Sequence, residues 1–171
     1  MADFTQAIEK LLKLEGGFST HDTTAGAVNF GITQRFLEQL GRPHSVEDVK
    51  NLTREEAIQI YKQEFWDKLH IGKINNQHIA EAYFFSVVNM GPYFPSLFLQ
   101  ESLKEIGVPI ALDGIIGPYA RAKLNALNDD ETNLVLMKFL NKLRARYETL
   151  ARVSPEYAAA LPGWLARLES V

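Results

Sequence analysis

The stretch "KLEGGFSTHDTTAGAVNFGIT", residues 13–33, decides how this chain is read. Up to Leu14 the apolar residues recur with helical spacing; after Gly16 and Gly17 that period is gone. A helix therefore ends here, with Glu15 in its last turn. That is the unfavourable end for a carboxylate, which there faces the negative pole of the helix dipole. From Phe18 to Ile32, Ser, Thr, Asp and Gly dominate around the short apolar pieces Ala27-Val28 and Phe30-Gly31-Ile32, a pattern that suits a small β-hairpin or an ordered loop.

Glu15 has two readings. It is a surface glutamate before a glycine stop, screened by Lys10 and Lys13, or it is a functional acid. In the second reading the helix end and the apolar Leu11, Leu12 and Phe18 disfavour the ionised form and raise the pKa. A carboxylic acid that keeps its proton near neutral pH is what protonation of a leaving oxygen requires. Asp22, the only acid between Glu15 and Glu38, is either a turn residue or the second carboxylate of a glycosidase pair, held about 5–9.5 Å from the first. Asn29 satisfies a turn or binds a sugar amide; Thr33 caps the next helix or orients a water.

Outward from this segment the chain is mainly α. Asp3 and Gln6 open the first helix as a capping box, with Phe4, Ile8, Leu11, Leu12 and Leu14 as its apolar stripe. Thr33 opens a short helix that ends at Gly41, and Ser45 starts another. Thr53 with Glu56 caps "REEAIQIYKQEFWDKL", whose Ala57, Ile60, Tyr61, Phe65 and Trp66 share a face. "HIAEAYFFSVVNMG" is apolar nearly all round, the pattern of a helix buried at the centre of a domain. After Gly91-Pro92 come "PSLFLQESLKEIG", a turn at Asp113-Gly114, "GPYARAKLNAL", a long helix from about 130 to 151, and the tail "SPEYAAALPGWLARL". Lys138, Lys142, Arg144, Arg146 and Arg152 make the long helix basic.

Composition excludes several function classes. A length of 171 residues at 46% apolar content is enough for a proper core. The formal charge of −3 leaves no electrostatic footprint for nucleic acid. Cysteine is absent, so disulfides and thiolate chemistry are ruled out. His21 reads as a loop histidine, His44, His70 and His78 lack helical ligand spacing, and no phosphate loop or nucleophile elbow occurs; no metal and no cofactor are expected. The start of the chain has no basic segment followed by an apolar run, and no stretch is long enough to span a bilayer. The expectation is a chain made in the cytoplasm without a signal peptide and without stable membrane insertion.

The motifs "EGGF", "NFGIT", "LTREEAIQIYKQEFW" and "FFSVVNMGP", in that order, resemble the bacterial and phage N-acetylmuramidases of glycoside hydrolase family 108. The resemblance implies a lysozyme-like fold with one small β-hairpin near the N-terminus. It also implies cleavage of the β-1,4 bond between N-acetylmuramic acid and N-acetylglucosamine, with Glu15 as catalytic acid and Asp22 as second carboxylate. Where the family usually has Asp-Pro-Gly-Gly and then Thr-Asn, this chain has Thr-Ala-Gly and then Val28-Asn29, one residue shorter. "LQESLKEIG…LDGIIGPYARAKLNAL" is similar to helical peptidoglycan-binding modules, with Gln100, Asp113, Gly114 and Gly117 at matching positions. The expected organisation is a muramidase region at 1–91 and a peptidoglycan-binding-like region at 92–171 packed against it. Asn29, Thr33, Gln100 and Asp113 are the candidate substrate contacts, and peptidoglycan strands the partner. Release to the periplasm or wall would run through a holin or a secretion apparatus. The rivals are a non-catalytic wall-binding scaffold and a lytic transglycosylase.

Overall fold

A helix with no polar side must be surrounded, and the rest of the chain is arranged to surround one. In the computed structural model, which describes residues 1–20 and 24–171, that helix is α5, Gln77–Met90, with every side chain from Ile79 to Val87 buried. Asn76 caps it by accepting the Ile79 N–H at 2.9 Å, and Gly91, at φ 77°, ends it. Phe84 is its central contact: the rings of Phe4, Tyr61, Trp66 and Phe85 all lie within 6.3 Å, centroid to centroid.

One charge sits inside this helix. Glu81 is fully buried; Lys10 donates to it at 2.6 Å and the Gln77 amide at 2.9 Å. Lys10 belongs to α1, Phe4–Leu14, which buries Ala7, Ile8 and Leu11. The expected capping box at its start is only half formed. Asp3 accepts the Thr5 N–H, but the Asp3 N–H donates to Gln77 across the interface with α5 instead of to Gln6.

The hairpin is short. Strands β1, Val28–Asn29, and β2, Ile32–Thr33, pair antiparallel with Val28 opposite Thr33, and Ser19 adds an isolated bridge to Val28. Thr33 then caps α2, Gln34–Gln39. Helices α3, Val46–Lys50, and α4, Arg54–Tyr61, both begin with complete capping boxes. The run expected to continue as one α-helix changes at Lys62–Asp67 into a π-helical segment. The wider turn puts residues five apart in line. Tyr61 and Trp66 can then both reach Phe84, at 6.3 and 5.4 Å.

Beyond α5 come α6, Tyr93–Glu105, α7, Pro118–Asn125, and α8, Asp129–Val153. The inward stripe of α8 is Val135, Phe139, Leu143 and Tyr147, each four residues from the last, the spacing of one helix face. On its basic side Lys138 and Lys142 pair with Glu105 on α6, and Arg146 lies over the Phe94 ring at 4.1 Å. At Ser154 the chain reverses into α9, Pro155–Glu169, which runs back along α8 and reaches α1 and α5. Among the described residues no helix is long and apolar enough to cross a membrane.

Phe84→Ala removes the ring on which four others converge, and chemical denaturation is expected to show a loss of about 3–5 kcal/mol.

Candidate active site

The site is built where α1 stops. Glu15 is the residue after the last helical one and has extended backbone angles, φ −85° and ψ 140°, so its side chain leaves the helix axis. Its carboxylate comes to rest on the hairpin turn. The two turn residues, Phe30 and Gly31, have φ of 52° and 76°, the double left-handed geometry of a two-residue hairpin loop. A β-carbon on Gly31 would stand 2.6 Å from the Glu15 carboxyl carbon and 2.7 Å from the Tyr61 hydroxyl oxygen. Gly31 is thus required twice, by its backbone angle and by the acid that lies on it. Tyr61 pins the same turn from below, its hydroxyl donating to the Phe30 carbonyl at 2.9 Å, and burial pushes its phenol well above the usual range.

On its other side Glu15 meets Arg167 of α9. The guanidinium Nη2 pairs with the Glu15 carboxylate, and Nη1 donates to the side-chain carbonyl of Asn89 on α5. The Asn89 amide in turn donates to the Tyr147 hydroxyl on α8 at 3.0 Å. Glu15, Arg167, Asn89 and Tyr147 form one polar chain through four helical elements. Both ends of the ion pair are largely buried, with side chains 13% and 10% exposed. Burial pulls the Arg167 guanidinium down to about 10, still protonated at neutral pH. The Glu15 surroundings are therefore not the purely apolar ones expected from Leu11, Leu12 and Phe18. Leu11 is in the core and Phe18 is exposed, while a cation faces the carboxylate.

A cleft of about 480 Å³ opens beside this pair, between the hairpin and α9. Thr33 lines it, as do Tyr157 and Trp164 of α9. The Trp164 ring packs tilted against Tyr147 at 5.0 Å and against Tyr157 at 5.8 Å, and Trp164 with Tyr157 makes one wall of the cleft aromatic. Glu156, at the start of α9, also lines the cleft and accepts from the Thr24 hydroxyl at 3.1 Å.

Of the sequence candidates, Glu15 and Thr33 come together here, although the Thr33 hydroxyl also accepts the Phe36 N–H as helix cap. Asp22 lies outside the described residues. Asn29 is buried, its amide shared among the carbonyls of Val49, Lys50 and Leu52 at 3.1–3.4 Å. Gln100 and Asp113 are bound to each other at 2.7 Å, away from the cleft, and Gln100 also accepts the Gly114 N–H, locking that turn. Arg167 escaped the sequence reading as a site residue. Its signal was there: a cation inside the apolar run "GWLARL" is buried only if something pairs with it.

A mainly α chain with a carboxylate at the end of its first helix, resting on a small hairpin, has the lysozyme-like fold. Residues 8–91 match the family described as Glycosyl hydrolase 108, and residues 94–169 match a "Predicted Peptidoglycan domain". Residues 8–91 are thus a glycosyl hydrolase 108 domain. Among solved structures, SagA of Brucella abortus is similar in fold, with a TM-score of 0.75 at 24% identity, over 98% of this chain and 90% of that one. No curated protein matches the chain. The family makes it a glycoside hydrolase, and the second matched region makes peptidoglycan its partner.

Gly31→Ala is expected to lower hydrolysis of peptidoglycan by far more than a neutral surface change would. It forces a β-carbon against the Glu15 carboxylate and strains a left-handed residue; turnover measured beside thermal unfolding separates the two effects.

Proposed function

We propose that the chain is an N-acetylmuramidase that hydrolyses the β-1,4 bond between N-acetylmuramic acid and N-acetylglucosamine. The observation that carries this reading is the placement of Glu15: a largely buried carboxyl group held on the hairpin turn, at the edge of a cleft with an aromatic wall. Sugar rings present flat apolar faces, and the neighbouring rings of Tyr157 and Trp164 offer a surface for them. Glu15 gives its proton to the glycosidic oxygen as the bond breaks, and the departing sugar leaves as an alcohol. The carbon left behind develops oxocarbenium character, and water completes the hydrolysis. Asp22 is the second carboxylate, stabilising that charge or activating the water. Thr33 contacts the glycan from the hairpin side. Asn29 serves the same site indirectly by fixing the hairpin to the end of α3.

In this reading residues 1–91 hold the cutting edge and residues 92–171 grip the polymer, with Gln100 and Asp113 shaping the turn that does so. The protein works at the periplasmic wall after release through a pore or a secretion apparatus. One observation favours the rival reading of a non-catalytic wall-binding protein: a guanidinium facing Glu15 favours its ionised form, whereas a general acid must begin protonated.

Purified peptidoglycan decides between them. Clearing by the wild type with new reducing muramic acid ends, and a fall of about 10²–10⁴-fold in Glu15→Gln, is the expected result. Anhydro-muramyl products would instead indicate a transglycosylase, and pelleting with the wall without clearing a binding protein.

A further inference from the structure

Arg167 is more than a counter-ion, because one of its three nitrogens, Nε, is left without an acceptor. Its guanidinium presents five N–H groups in a rigid fork. Nη1 is committed to Asn89 and Nη2 to Glu15, while Nε, equally buried, has no acceptor among the described residues. Nε and Nη2 lie on the same edge of the fork, the edge that takes a carboxylate through two parallel hydrogen bonds. Glu15 engages only half of that edge. The same guanidinium lines the cleft in which Glu15 and Trp164 stand.

We infer that Arg167 is the carboxylate receptor of the cleft, and that an anionic group of the glycan takes the Nε–Nη2 edge in place of Glu15. The inference rests on the muramidase reading for its choice of ligand. An incoming carboxylate accepts from both Nε and Nη2, whereas Glu15 meets only Nη2, as an ion pair, so the exchange recovers a buried unpaired N–H. Glu15, no longer facing the cation, takes a proton from solvent and becomes competent to protonate the leaving oxygen. The resting ion pair thereby makes activity depend on an anionic substrate. A neutral polymer of N-acetylglucosamine would leave the pair closed. Two sources supply the carboxylate: the lactyl group of a peptide-free muramic acid, and the stem peptide where the lactyl group is amidated.

The test measures binding by calorimetry to Glu15→Gln and to Glu15→Gln/Arg167→Gln, each first checked by thermal unfolding. The ligands are the neutral N-acetylglucosamine tetramer, a peptide-free muramyl tetrasaccharide, and the same tetrasaccharide carrying stem peptides. Loss of Arg167 is expected to weaken one or both carboxylate-bearing ligands by about 10- to 100-fold while changing the neutral tetramer by less than about twofold. Which of the two responds identifies the carboxylate, and Arg167→Lys in the same background should restore part of the loss by charge without the fork. An equal weakening of all three ligands, or of none, overturns the inference. If the wild type cleaves no peptidoglycan, the muramidase reading fails on its own, and the binding contrast still decides the role of Arg167.

Discussion

The pair between Glu15 and Arg167 is the constraint on which the arrangement of this protein turns. Two opposite charges taken out of water need each other, because either alone would be left buried and uncompensated. Neither residue can be satisfied by its own neighbourhood. Glu15 ends the first helix and Arg167 lies near the end of the last, so meeting requires α9 to fold back along α8 and reach α1. Asn89 and Tyr147 complete the contact and bring in the buried α5 and the inner face of α8. The polar chain ties residues from both family-matched regions into one site.

Polar side chains elsewhere do related work at lower stakes. Asn29 bonds three carbonyls at the end of α3 and the segment after it, which fixes the hairpin against the rest of its half. Gln100 bonds the Asp113 side chain, the Gly114 N–H and the Ile115 carbonyl, which fixes the turn before α7. Both are buried amides bonded largely to backbone, the arrangement that holds an irregular segment in one conformation. Burial of Glu81 follows the same rule, with Lys10 and Gln77 supplying its partners from within reach of α5.

Much of the fold was legible because its signals act over three or four residues. The boxes at Ser45–Asp48 and Thr53–Glu56 form both of their hydrogen bonds, and the all-apolar run around Phe84 is the buried helix its pattern describes. Local rules failed where a distant residue intervened. Asp3 turned its N–H toward Gln77, and the segment after Tyr61 took the π form, which lets Trp66 and Tyr61 both reach Phe84. In the site, Glu15 stood out because its position is awkward for a helix, which is a local property. The cation facing it lies on another helix near the other end of the sequence. No spacing rule connects the two, and only an unexplained charge in an apolar tail hinted at Arg167.

The distance between those partners along the chain also sets a clock. Arg167 follows Glu15 by about 150 residues, which at roughly 5–20 residues per second is on the order of 10–30 s of ribosomal synthesis. Through that interval α1, the hairpin and α5 can form, but the carboxylate on the turn does not yet have Arg167 to meet. The nascent chain must leave the end of α1 hydrated until α9 emerges. Closure of the cleft is therefore a late event in the birth of the molecule, and it coincides with the arrival of the helix that completes its wall.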